Sequence, residues 1–150
     1  MVITLSPVSA PLILTERSGR LTTALRYVVT VVCAASAGIH AALVQPHVEE
    51  AGPLVGAAFA AASLALAVAA LTVRQPRHDA WAPIAAAVVL DLIAVGYLLS
   101  RTTSIPLLIT DREELDPLGV FTTGAELIGA LAAAVLIRMK ETRRDSPHVS

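Results

Sequence analysis

The chain is 150 residues long and 55% hydrophobic, with a formal net charge of -1 and a mean hydropathy of +0.71. A soluble domain sits nearer about 45–50% apolar and carries amphipathic stripes in place of unbroken apolar spans, so an ordinary water-soluble fold is excluded. The lack of excess positive charge argues against a nucleic-acid partner, and a single cysteine, Cys33, excludes an intramolecular disulfide or a cysteine metal cluster.

Residues 1–20 read as an N-terminal cytoplasmic tail. The apolar stretch Val8 to Leu14 is short, is broken by Pro7 and Pro11, and precedes its cations, the reverse of a signal peptide. The membrane domain follows over residues 21–140. Its first span runs from Leu21 to Val44 and holds Cys33, Ser36 and His40; Pro46 is expected to end or kink it. The first connection, Gln45 to Gly52, carries His47, Glu49 and Glu50. The second span, Pro53 to Val73, opens on a proline whose missing N–H has no partner to lose in a first turn. Arg74 and Arg77 follow. The third span, Ala82 to Leu99, carries Asp91 near its middle and Arg101 just past its end. A connection of 17 residues, Thr102 to Leu118, contains the apolar patch Ile105 to Ile109, which is expected to fold over the outer mouth of the bundle. The fourth span, Leu118 to Ile137, holds Glu126. Residues 141–150 are polar and read as a disordered tail. Each span approaches the ~20 residues a helix needs to cross the hydrocarbon core. The pattern predicts an all-α, four-transmembrane-helix bundle.

The cations orient it. Nine of eleven Lys and Arg residues lie on one side: Arg17, Arg20, Arg26, Arg74, Arg77, Arg138, Lys140, Arg143 and Arg144. The remaining two, Arg101 and Arg112, share the third connection with Asp111, Glu113, Glu114 and Asp116. Both termini are therefore expected in the cytoplasm, with Trp81 and Tyr27 as interfacial anchors. Ten of the eleven cations are Arg; with the abundant Ala and Val, this composition suggests a bacterial cytoplasmic membrane. The partners implied are the lipid bilayer and either further copies of the chain, as a homo-oligomer, or other membrane subunits. Small residues four apart (Ala34, Gly38 and Ala42; Gly52, Gly56 and Ala60; Ala125, Gly129 and Ala133) favour close helix packing.

Ionisable groups inside a span are costly and are expected to face the bundle or a wet cavity. His40, Asp91 and Glu126 qualify, with Arg101 at the outer boundary. Asp91, Arg101 and Glu126 form the expected polar network, in which Glu126 and Arg101 should lie at similar depth and His40 could join them. Asp91 is also a proton-relay candidate. His40, His47, Glu49 and Glu50 supply two imidazoles and two carboxylates within eleven residues, a donor set suited to zinc or copper. Seven residues span about 10 Å of helix, so one ion could join both histidines only if Pro46 turned the chain back. The other reading is a hydrogen-bonded His40 below a solvated loop. No GxGxxG, P-loop, HExxH, CxxC or GxSxG motif occurs, and no catalytic residue is assigned.

The motifs His40-x6-His47-x-Glu49-Glu50 and Tyr97-Leu-Leu-Ser100-Arg101-Thr-Thr-Ser-Ile-Pro106 resemble those of a group of small, uncharacterised bacterial integral membrane proteins with four helices, over roughly residues 22 to 138. The resemblance implies the same four-span architecture and no known activity, and it favours His40, Glu50, Arg101 and Glu126 over other polar residues. Two functions are expected from the sequence: an accessory or interaction protein with a polar cluster near its extracytoplasmic side, or a proton or metal-ion transporter using that cluster and Asp91. Orientation is directly testable. In a Cys33→Ala background, single cysteines at Glu50 and Asp116 should react with an impermeant thiol reagent applied outside the cell, and those at Arg77 and Ser150 should not. The reverse pattern would invert the topology.

Overall fold

A computed structural model describes residues 9–78, 80–102 and 116–144. Four helices make up nearly all of it: α1 (Ser9–Ala51), α2 (Pro53–Val73), α3 (Ala82–Thr102) and α4 (Pro117–Arg144), with one 3-10 turn at Pro76–His78 between α2 and α3. All four are long and apolar enough to cross a membrane. The expected cover from Ile105 to Ile109 lies outside the described residues.

The helices form a ring in chain order. α1 packs on α2 and α4, α3 packs on α2 and α4, and α1 meets α3 only sparsely across the diagonal. Neighbours run antiparallel: Ser63 of α2 bonds the Ala37 carbonyl of α1 at 2.9 Å, while nearer the joint His47 of α1 stacks on Phe59 of α2. The core is thin and built of small side chains. Val29, Cys33, Leu66, Ala69, Ala86, Leu90 and Ala133 are buried, whereas Leu64, Leu71, Leu92, Phe121 and Leu131 point outward. Apolar side chains on the outside and small ones inside suit a bundle solvated by lipid, where close backbone approach and dispersion hold the helices together.

Gly129 shows how close that approach is. A Cβ there would lie 2.8 Å from Val32 Cγ1 and 3.0 Å from Leu90 Cδ1, so α4 presses on α1 and α3 at one point. The ridge from Ala125 to Ala133 therefore packs inward, with Gly129 and Ala133 buried. The ridge of Ala34, Gly38 and Ala42 on α1 faces outward.

α1 differs from expectation at both ends. It runs through Pro46 to Ala51, and it begins at Ser9, so residues 9–20 are helical. Pro11 sits in the first turn, where no intrahelical donor is lost, and Pro46 removes one bond from a helix with several turns on its other side. The reversal comes later, at Gly52, whose φ of 95 and ψ of 170 occupy a region L side chains rarely adopt. This single residue joins α1 to α2. Its amide donates to the Val48 carbonyl at 3.2 Å, and its own carbonyl accepts from Gly56 at 3.2 Å. Gly52→Ala should destabilise the bundle by about 1–3 kcal/mol, read as a lower unfolding midpoint in detergent. An unchanged midpoint would show that the joint relaxes without strain.

Candidate functional site

The hairpin ends of the four helices surround a partly open cavity of about 490 Å³. Its walls are apolar, with Leu43 from α1, Val55 and Phe59 from α2, and Ile93 and Leu99 from α3. The polar groups reaching it include His40, His47, Tyr97, Arg101, Asp116 and Glu126. A pocket of this size and balance suits a small amphipathic molecule. A second cleft, about 370 Å³, lies at the opposite end beside Thr22, Arg26 and Lys140, where the basic residues collect.

Glu126 is the deepest polar group, only 1% exposed. Ser36 Oγ on α1 donates to its Oε1, a short contact across the α1–α4 seam. One turn along α1, His40 Nδ1 lies 2.9 Å from the Ser36 carbonyl and 3.4 Å from Ser36 Oγ. A carbonyl only accepts, so His40 Nδ1 is the donor in this contact. His47 repeats the arrangement, with Nδ1 2.9 Å from the Leu43 carbonyl. The two imidazoles share a face of α1 and flank one aromatic ring. Phe59 stacks on His47 at 3.9 Å between centroids and tilts against His40 at 5.4 Å.

The other polar pair lies nearer the mouth. Arg101 closes α3 and donates to Asp116 Oδ2 at 2.8 Å, with its guanidinium 4.7 Å from the centroid of Tyr97. Asp116 is also the N-cap of α4: its Oδ1 accepts from the Gly119 amide at 2.6 Å, and Pro117 follows at the first helical position. The Tyr97 hydroxyl is buried and finds no hydrogen-bond partner among the described residues.

Three expectations are corrected by this geometry. Arg101 reaches the carboxylate of Asp116, not that of Glu126, because Glu126 lies ten residues further along, about 15 Å deeper along α4. Asp91 does not face the bundle. It is exposed on α3, beside the buried face of Ala86, Leu90 and Ala94, and it does not line the cavity. The network of Asp91, Arg101 and Glu126 is therefore three separate environments. Lastly, His40, His47, Glu49 and Glu50 do not converge. Glu49 accepts from Gln45 at 2.7 Å, Glu50 is exposed, and no group of three or more His, Cys, Asp or Glu side chains is placed to hold a metal among the described residues. Because α1 stays helical through Pro46, the chain never turns back to bring the two histidines to one ion.

Sequence reasoning missed two contributors. Phe59 gave no signal, being one apolar residue among many. Asp116 did: Asp before Pro at the start of an apolar run is a helix N-cap signature. No protein-family model, no curated protein and no solved structure matches this chain.

The Ser36–Glu126 bond makes a sharp stability prediction. Ser36→Ala leaves a buried carboxyl without its donor and should cost about 1–3 kcal/mol, whereas Ser36→Ala combined with Glu126→Leu should recover most of that loss. Thermal unfolding of Ser36→Ala, Glu126→Leu and the double variant in detergent reads this out; additive losses in the double variant would show that the two side chains act independently.

Proposed function

We propose that this chain is a multi-pass protein of a bacterial cytoplasmic membrane, with both termini in the cytoplasm, that binds a small amphipathic molecule in the cavity at its hairpin end. The asymmetry of the cations supports the orientation. The observation that carries the binding role is Glu126, a carboxyl at the inner end of a cavity with mainly apolar walls, with Ser36 and His40 beside it and no ion pair to a basic side chain among the described residues.

That arrangement selects a ligand class. A carboxylate accepts hydrogen bonds, so the complementary head group donates them or carries positive charge. Asp116 already matches the charge of Arg101 at the mouth, which lowers its opposition to an entering cation. Phe59, Leu43 and Ile93 would hold an apolar body, and the Tyr97 face adds aromatic contact. Ser36 gives its hydroxyl proton to Glu126, and His40 Nδ1 is turned to the Ser36 carbonyl, so the reading is of a binding protein without chemistry of its own.

A zinc or copper role for His40, His47, Glu49 and Glu50 has less support, since both imidazoles are committed to flanking Phe59. An interaction role has separate support from the outward face of Asp91.

The test uses tetraphenylphosphonium as a lipophilic cation. Purified protein should bind it saturably, and Glu126→Gln should weaken binding by at least about tenfold, near 1.4 kcal/mol. A proton competes for the same carboxylate, so binding should also weaken as pH falls. Equal binding by wild type and Glu126→Gln would overturn the assignment of the head-group site.

A further inference from the structure

The cleft of about 370 Å³ at the basic end shares no residue with the cavity at the hairpin end. Three helices meet in it. α1 supplies Arg26, α3 its first turn at Pro83 and Ile84, and α4 supplies Ile137 and Lys140. Arg26 and Lys140 are half-buried, whereas Arg17, Arg20, Arg74, Arg77 and Arg138 at the same end are exposed. The cleft therefore gathers one cation from the first helix and one from the last. Glu141, a carboxylate at its edge, is exposed and lies 3.9 Å from Arg138, a cation outside the lining. The positive charge of the cleft thus exceeds the negative.

Its depth follows from two aromatic residues. Tyr27 comes directly after Arg26, Trp81 directly before α3, and both side chains are exposed. Such amphipathic rings sit at the headgroup level of a bilayer. Arg26 and Lys140 then lie at the level of the lipid phosphates. The cleft is also apolar on the side that meets lipid, through Ile84, 48% exposed, and the half-buried Ile137. The first turn of α3 brings the positive end of its helix dipole to the same place.

We infer that this cleft binds the phosphate headgroup of an anionic membrane lipid, with Arg26 and Lys140 on the phosphate oxygens and Ile84 and Ile137 against the acyl chains. A guanidinium can fork two phosphate oxygens, and an ammonium adds a compact charge beside it. Basic pockets between helix ends suit such headgroups. Free inorganic phosphate would engage the two cations alone and leave the apolar wall uncovered. A zwitterionic lipid brings its own cation toward Arg26 and Lys140, so an anionic one is preferred. A lipid held there would tie α1 to α4 at the basic end, far from the Ser36–Glu126 bond.

Trp81 is the chain's only tryptophan and adjoins Ala80 of the lining, so its fluorescence reports the site. The full chain is reconstituted in phosphatidylcholine vesicles doped with a lipid whose acyl chains are brominated and quench tryptophan. Brominated phosphatidylglycerol should be preferred over brominated phosphatidylcholine by at least about fivefold in relative affinity. Arg26→Gln with Lys140→Gln should bring that preference to within about twofold of unity. Arg74→Gln with Arg77→Gln removes the same charge from the same end outside the cleft and should retain it. Millimolar inorganic phosphate should not displace the lipid. Equal quenching by the two lipids in wild type would overturn the proposal, as would a preference that survives Arg26→Gln with Lys140→Gln. Equal loss in both double variants would show diffuse surface attraction, and displacement by phosphate would show a free-anion site; either result also overturns it. The wild-type comparison and the phosphate competition need no variant to fold. Cation binding beside Glu126 is a separate outcome, because the two sites share no residue.

Discussion

A polar atom within a bilayer can bond only to protein, and that constraint organises this bundle. Inside the ring it is met by the hydrogen bond from Ser36 to Glu126, which ties the first helix to the last. The same constraint explains the smaller features around it. Ser63 donates across to the Ala37 carbonyl, Thr122 donates back to the Leu118 carbonyl at 2.8 Å, and each imidazole gives its Nδ1 proton to a carbonyl one turn earlier. Each of these pairings satisfies a group that lipid would leave bare. The Thr30 and Tyr97 hydroxyls are the contrasting cases, buried and without a hydrogen-bond partner among the described residues.

Two carboxyls of the spans meet the constraint in opposite ways. Glu126 is turned into the ring and held by a hydroxyl; Asp91 is turned out of it. One faces the cavity and the other faces away from the bundle.

The number of spans was legible because hydropathy and length suffice for it, and so was the extent of the middle two: Pro53–Val73 matches its apolar run and α3 extends its run only to Thr102, whereas α1 overruns its span at both ends and α4 continues to Arg144. Depth along the spans was partly legible too, by counting from the ends. What the residues did not disclose was azimuth. A helix destined for lipid is apolar all round, so no stripe distinguishes the side facing its neighbours from the side facing acyl chains. Asp91 and Glu126 looked alike for that reason, and only the packing of Gly129 against Val32 and Leu90 settles which way α4 turns. Pro46 misled for a related reason. Proline weakens a helix locally, but the turn of the chain needed a residue able to adopt a positive φ, and the first was Gly52. The Arg101–Asp116 pair was hidden by a long connection rich in other acids.

The one-residue joint at Gly52 also bears on how the protein enters the bilayer. In the proposed orientation, the joint between the first two helices is carried across the membrane. A loop of ordinary length would expose several backbone amides and carbonyls to hydrocarbon during that passage, each costing several kcal/mol. Here the helical ladder continues almost to the joint on one side and resumes immediately on the other, with Gly52 itself bonded to Val48 and Gly56. The side chains of Glu49 and Glu50, next to the joint, are then the main polar cargo. α1 and α2 are thus built to partition into lipid together, as one preformed helical hairpin.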